Sequence, residues 1–101
     1  MKRLEEAIGY RFQNITLLQN ALTHSSYANE LKAKKQTVQC NERLEFLGDS
    51  VLSIVTRRYL FEKMSDRQEG DMTKIRAAVV GERALAKCAA KIGLGDYLYL
   101  G

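Results

Sequence analysis

Asn41-Glu42-Arg43-Leu44-Glu45-Phe46-Leu47-Gly48-Asp49-Ser50 opens the longest stretch of the chain with helical spacing, which runs on to about Met64. Wound at about 100° per residue with Glu45 set at zero, Asp49 falls near 40° and Glu42 near 60°. Ile54, Leu47, Val51 and Leu44 fall at about 180°, 200°, 240° and 260° on the same wheel. The stretch therefore predicts an amphipathic helix that buries one flank and carries three acids on the other. Phe46, near 100°, belongs to neither flank.

Three acids on one helix face are, on composition alone, more often a solvated surface than a site. Yet like charges at i,i+3 and i,i+4 each cost a helix a few tenths of a kcal/mol. No Lys or Arg lies on the wheel between these three. A hard divalent cation with oxygen ligands, such as Mg²⁺, is the natural species to offset them.

Outward from this segment the pattern stays helical. Arg3 to Ile8 makes a short helix stopping at Gly9. A second begins at Asn14 or Ile15, with Leu17, Leu18, Ala21 and Leu22 as its apolar stripe, and ends before Thr23-His24-Ser25-Ser26. Asn29 to Gln39 carries Lys32, Lys34 and Lys35 among polar residues and reads as a mobile connection. Beyond Met64, Ser65-Asp66-Arg67-Gln68 reads as a loop whose Ser and Asp side chains can cap the next helix. That helix covers about Gly70 to Val80 and breaks at Gly81. Another runs from Glu82 to Ile92, with its acid first and Lys87 and Lys91 near the end, as the helix dipole favours. Gly93 suits a C-terminal cap. There is no proline, and strict β alternation is missing, so the fold class is all-α.

The bulk numbers bound the function. A chain of 101 residues makes at most one domain with one core. Its formal net charge of +4 leans towards a polyanionic partner without singling one out. No run approaches the roughly 18 to 20 apolar residues of a membrane span, and the N-terminus lacks an apolar signal core. The expectation is a cytoplasmic protein with no membrane partner and no small-molecule cofactor. Cys40 and Cys88 form neither a CxxC pair nor a Cys/His cluster, and read as reduced, semi-buried thiols.

The word Glu42-Arg43-Leu44-Glu45-Phe46-Leu47-Gly48-Asp49-Ser50 resembles the signature of the ribonuclease III family. Its flanks agree: Thr23-His24-Ser25-Ser26-Tyr27-Ala28-Asn29-Glu30 upstream, and Glu69-Gly70-Asp71-Met72-Thr73 with Arg76-Ala77 downstream, resemble family stretches in order and spacing. The resemblance spans essentially the whole chain. It implies the family's endonuclease-domain fold and a double-stranded-RNA-specific endoribonuclease of rRNA and mRNA processing. Such an enzyme works as a homodimer with Mg²⁺, or alternatively Mn²⁺, and leaves 5′-phosphate and 3′-hydroxyl ends. By the same resemblance Glu45 is a metal ligand and Asp49 the catalytic aspartate. Glu42 and Glu69 are supporting acids of the cleavage groove, and Phe46 is the aromatic that enters a socket on the partner subunit. Lys74 and Arg76, close in sequence to Glu69, are candidate contacts to RNA phosphates. His24, the only histidine, reads as a structural hydrogen bond tying its turn to the core. Arg57 and Arg58 read as a solvated helix flank.

One departure stands out. Family members hold the metal with two further acids, Asp-x-x-Glu, on an apolar helix near the end of the domain. Asp66-x-x-Glu69 has that spacing but sits in a polar loop, and nothing later in the chain repeats it. The expectation is that residues 1–101 are a partial, C-terminally truncated catalytic domain without that acidic helix or a double-stranded-RNA-binding domain, and inactive alone. The rival is a non-catalytic ribonuclease III-like module that binds RNA or dimerises. Such a module has no use for carboxylates that repel phosphate, so Glu45 and Asp49 speak against it.

Overall fold

The computed structural model describes all residues from Met1 to Gly101. Six helices follow one another: α1 (Lys2–Ile8), α2 (Ile15–Ala21), α3 (Ser25–Ala33), α4 (Glu42–Lys63), α5 (Glu69–Val79) and α6 (Glu82–Lys91), then a 3₁₀ turn at Leu94–Tyr97. The helices expected from periodicity are present, and α3 is an addition. It occupies the first half of the stretch read as a mobile connection. His24 sets it up as N-cap, its Nδ1 accepting the Ser26 N–H at 3.1 Å, and Ala28, Leu31 and Ala33 carry it on. The loop before α5 differs as well: Gln68, not Ser65 or Asp66, is the N-cap, and no side chain caps it.

Gly9 ends α1 with φ +71°, and Gly93 follows α6 with φ +69°, backbone that costs any residue with a Cβ. Gly81 serves a different need. A Cβ there would stand 2.9 Å from the Ala77 carbonyl oxygen, so the α5–α6 corner closes only on a glycine.

The core is small and sits at one end. Leu4, Leu18 and Leu22 are buried together, with Phe12, Ile92, Leu94 and Tyr97 to Tyr99 packed around them. The tail closes this cluster through one parallel bridge between Thr23 and Tyr99. Tyr99 N–H donates to Leu22 O at 2.9 Å, and His24 N–H donates to Tyr99 O at 3.0 Å. His24 thus does tie its turn to the core, through its backbone, while the Tyr27 ring packs against Tyr99 with centroids 5.4 Å apart and planes tilted by 40°.

From this end α4 reaches away for about 33 Å, the length of 22 helical residues. α5 folds back along it: Arg76 Nη2 on α5 reaches Ser53 Oγ on α4 at 3.1 Å. The molecule is consequently long, 56 × 26 × 23 Å, with a radius of gyration of 16.5 Å. A compact chain of this length would have about 13 Å.

The flank of α4 expected to be buried is bare. Ile54 is 68% exposed and Leu47 61%, and Val51 and Leu44 are exposed too. The periodicity is real, but that side borders only open hollows, with Leu17 of α2 near Leu44 and Leu47 and Met72 of α5 near Ile54. Leu60, at the far end of α4, is its only buried residue. The thiols are free, as expected, although Cys88 is exposed where semi-burial was expected; Cys40 is half-buried.

Candidate active site

The acids of α4 owe their position to the way its N-terminus is pinned. Thr23, buried in the core, donates its hydroxyl to Gln19 O at 2.7 Å. Its carbonyl accepts the Asn41 N–H at 2.8 Å, and the Asn41 side-chain amide donates to Ala21 O at 3.0 Å. Two bonds from the residue preceding α4 therefore fix the start of the helix against the end of α2. Everything on the first three turns inherits that orientation.

Glu42, Glu45 and Asp49 all line one open hollow of about 700 Å³, with Phe46, Gly48, Ser50, Leu52 and, from α6, Leu85. All three carboxylates are exposed. None has a cationic partner within salt-bridge range, since the one ion pair in the chain joins Arg58 to Glu62, at 3.1 Å. Glu42 and Glu45 lie in the first turn, where the free N–H groups favour negative charge. Asp49 lies beyond that turn and gets no such help. The arrangement fits the chemistry of a hard cation: oxygen donors, accessible, and not neutralised by the protein. It supplies only part of a ligand set, because no three acidic, histidine or cysteine groups converge closely enough to hold a metal ion.

Glu69 is elsewhere. It opens α5, accepts the Thr73 hydroxyl at 3.1 Å, and lines a second hollow with Leu60, Phe61 and Met72. From Asp49 to the level of Leu60 is about 17 Å along the helix axis, so a single chain does not bring Glu69 to the other acids. Lys74 and Arg76 are also separated. Residues two apart on a helix point to different sides; Lys74 is exposed, whereas Arg76 is half-buried and turned to Ser53.

The pairing of Arg76, a candidate phosphate contact from the sequence, with Arg57, read there as a solvated flank, is the feature that the sequence did not reveal. Arg76 Nη2 shares Ser53 Oγ with Arg57 Nε, the latter at 3.2 Å, and Arg76 Nε is shut off from water with no acceptor. An unmet buried donor costs about 1–3 kcal/mol, and more for a charged group. The four-residue spacing of Asp49, Ser53 and Arg57 was the available signal.

Phe46 is 84% exposed at the rim of the acidic hollow. On its other side it borders a further hollow of about 770 Å³ lined by Leu17, Cys40, Leu44 and Leu47. An aromatic ring held out in water by a well-anchored helix has nothing to gain within its own chain.

Comparison with known proteins agrees with this geometry. The family model described as Ribonuclease-III-like matches residues 14–101. The chain belongs to the ribonuclease III family. It is 53% identical over 98 residues to Ribonuclease 3 of Caldanaerobacter subterraneus subsp. tengcongensis, covering 97% of this chain and 42% of that protein. It is 50% identical over 100 residues to Ribonuclease 3 of Campylobacter fetus subsp. fetus, covering 99% and 41%. The chain thus spans about two fifths of the length of these curated relatives. Two solved structures of the ribonuclease III nuclease domain from Campylobacter jejuni superpose with TM-scores of 0.86 and 0.85 at 42% identity, the chain covering 64% and 63% of them. The first of these was described for structural flexibility in the region involved in dimer formation. The expected all-helical nuclease-domain fold is therefore the one observed.

Proposed function

We propose that the chain is part of the catalytic domain of a double-stranded-RNA endoribonuclease, and that it contributes Glu45 and Asp49 to a Mg²⁺ site. One observation carries the reading: two exposed carboxylates, one turn apart on a pinned helix, face an open hollow with no protein cation beside them. Such a face repels phosphate by itself. It meets a phosphodiester favourably only with a cation between.

Glu45 and Asp49 would hold the ion, with Glu42 beside them as a supporting acid. The chemistry that Mg²⁺, or Mn²⁺ in its place, would supply when held there is a lowered pKa for a water and an offset for charge on the leaving 3′ oxygen, consistent with 5′-phosphate and 3′-hydroxyl ends. The part played by the chain itself is orientation. The bonds from Asn41 to Thr23 and Ala21 fix the phase of α4, and the phase fixes where both carboxylates point. A-form duplexes are read mostly by shape, phosphate and 2′-hydroxyl contacts, so substrate choice rests on groove geometry. The remaining ligands we assign to the acidic helix that family members carry beyond the matched stretch. Glu69, far from Asp49 within one chain, fits the groove of a homodimer better than that of a monomer, and Phe46 fits as the ring that enters the partner.

No helix is long and apolar enough to cross a membrane, and we place the protein in the cytoplasm, working on rRNA and mRNA precursors. The test is cleavage of a duplex by a full-length protein carrying this stretch. Glu45→Gln and Asp49→Asn should each abolish cutting in Mg²⁺ while duplex binding persists. Near-normal cleavage by either variant refutes the assignment.

A further inference from the structure

We propose that Ser53, Arg57 and Arg76 form a phosphate-binding site on α4, beside the carboxylates and distinct from them. Two guanidinium groups from different helices converge on one hydroxyl oxygen, Arg57 Nε at 3.2 Å and Arg76 Nη2 at 3.1 Å. Both lone pairs of that oxygen are thereby used, so Ser53 is left as a donor. Neither arginine has a carboxylate within ion-pair range, and Arg76 Nε has no acceptor. Arg57 and Arg76 both line a hollow of about 510 Å³, which Arg58 and Thr73 also border. The one carboxylate lining it, Glu69, accepts the Thr73 hydroxyl and lies outside ion-pair range of both arginines, and Arg58 is taken by Glu62. What this cluster lacks is an acceptor-only group with negative charge.

Phosphate suits it better than a protein carboxylate. Donors line the hollow from two helices, Arg57 on α4 and Arg76 on α5, which matches an ion with oxygens on several sides; a planar carboxylate is satisfied by one arginine fork. The placement agrees. Glu45, Asp49, Ser53 and Arg57 recur every four residues, a stripe that passes from negative to positive with a rise of about 6 Å at each step. A backbone phosphate seated here lies about one to two helical turns from Asp49 and two to three from Glu45. The partner of Arg76 in this site is Arg57, across the helix pair, and not its near neighbour Lys74.

The oxyanion site stands without the nuclease reading; its use for an RNA phosphate rests on that reading. The test is a side-chain ¹H–¹⁵N titration of the 101-residue protein, following the Arg57 and Arg76 Nε–H signals. Inorganic phosphate should shift both saturably, and sodium chloride at matched ionic strength should not. Arg57→Gln and Ser53→Ala should weaken phosphate at least five-fold with the backbone spectrum unchanged. Arg76→Lys keeps the charge, loses the fork, and should weaken it as well, read at Arg57. A short A-form RNA duplex that displaces phosphate identifies the backbone as the source; a duplex without effect on these signals leaves a site for free phosphate. The proposal is overturned if phosphate produces no saturable shift, or if chloride reproduces it. It is also overturned if acetate binds as tightly as phosphate, since a protein carboxylate is then the natural occupant. None of these results bears on whether Glu45→Gln abolishes cleavage, so the two readings fail separately.

Discussion

Replacing Phe46 by alanine separates what this ring does for its own chain from what it does for a partner. A phenylalanine side chain has about 200 Å² to bury. Since Phe46 is 84% exposed, roughly 170 Å² is still in water, about 4 kcal/mol of apolar burial at ~25 cal/mol per Å². The part already buried is worth about 1 kcal/mol on the same scale. Phe46→Ala should therefore lower the stability of the fold by no more than about 1 kcal/mol, roughly 4–8 °C in melting temperature for a chain of this size. Leu4→Ala provides the contrast. That side chain is 1% exposed, and emptying such a site costs about 2–5 kcal/mol. If Phe46 is the dimer contact, its loss should weaken self-association by about 2–3 kcal/mol per subunit, the scale of an interface hot spot. Since both copies lose the ring, the dissociation constant should rise roughly 10³- to 3×10⁴-fold. Sedimentation equilibrium with a parallel thermal melt reads both quantities. Melting of Phe46→Ala as early as Leu4→Ala would refute the assignment of the ring to the outside of the fold. A Phe46→Ala protein as associated as the parent, combined with dissociation on Leu47→Ser or Ile54→Ser, would show that the bare flank of α4 and not the ring holds the copies together.

Three other outcomes follow from the same geometry. Asp49→Asn, which removes a like charge from one helix face, should leave the 101-residue chain as stable or a few tenths of a kcal/mol more stable in a thermal melt. Glu45→Gln, which also gives up a first-turn charge that the helix favours, should stay within about 1 kcal/mol of the parent, while both changes abolish cleavage by a full-length protein; a larger loss of stability would mean these carboxylates hold the fold. Mg²⁺ should bind the 101-residue chain only in the millimolar range by calorimetry, because two carboxylates leave the ion most of its waters, and efficient Mg²⁺-dependent cutting by this chain, lost on Asp49→Asn, would show that its ligand set is complete after all. Gly48→Ala meets nothing within 4 Å in mid-helix and should stabilise the chain by about 0.5–1 kcal/mol, whereas Gly9→Ala, at φ +71°, should cost about 1–2 kcal/mol; denaturant melts that reverse this order would refute the backbone argument.

How far the sequence can be read depends on the range of the force involved. The acids of α4 were legible because a helix converts spacing into direction with no help from the rest of the chain: residues 42, 45 and 49 share a face wherever the helix goes. The helix α3 was not legible. Its lysines and short apolar content resemble a connection, and its cap is a histidine nitrogen, outside the Ser, Thr, Asp and Asn set that marks most helix starts. The apolar flank shows a different limit. Periodicity says which residues a helix offers for burial, but burial needs a second surface, and Leu47 and Ile54 border only open hollows within these residues. The same limit separated Arg76 from Lys74. Two cations close in sequence suggested one phosphate contact, yet a helix turns them apart, and the partner Arg76 finds is Arg57, nineteen positions earlier, over the oxygen of Ser53. Local pattern therefore names the carboxylate half of the site, while the cationic half exists only once α5 has folded back on α4. That order also explains why removing Asp49 should leave the fold intact, whereas disturbing the α4–α5 contact should move the arginines and leave the acids where Asn41 holds them.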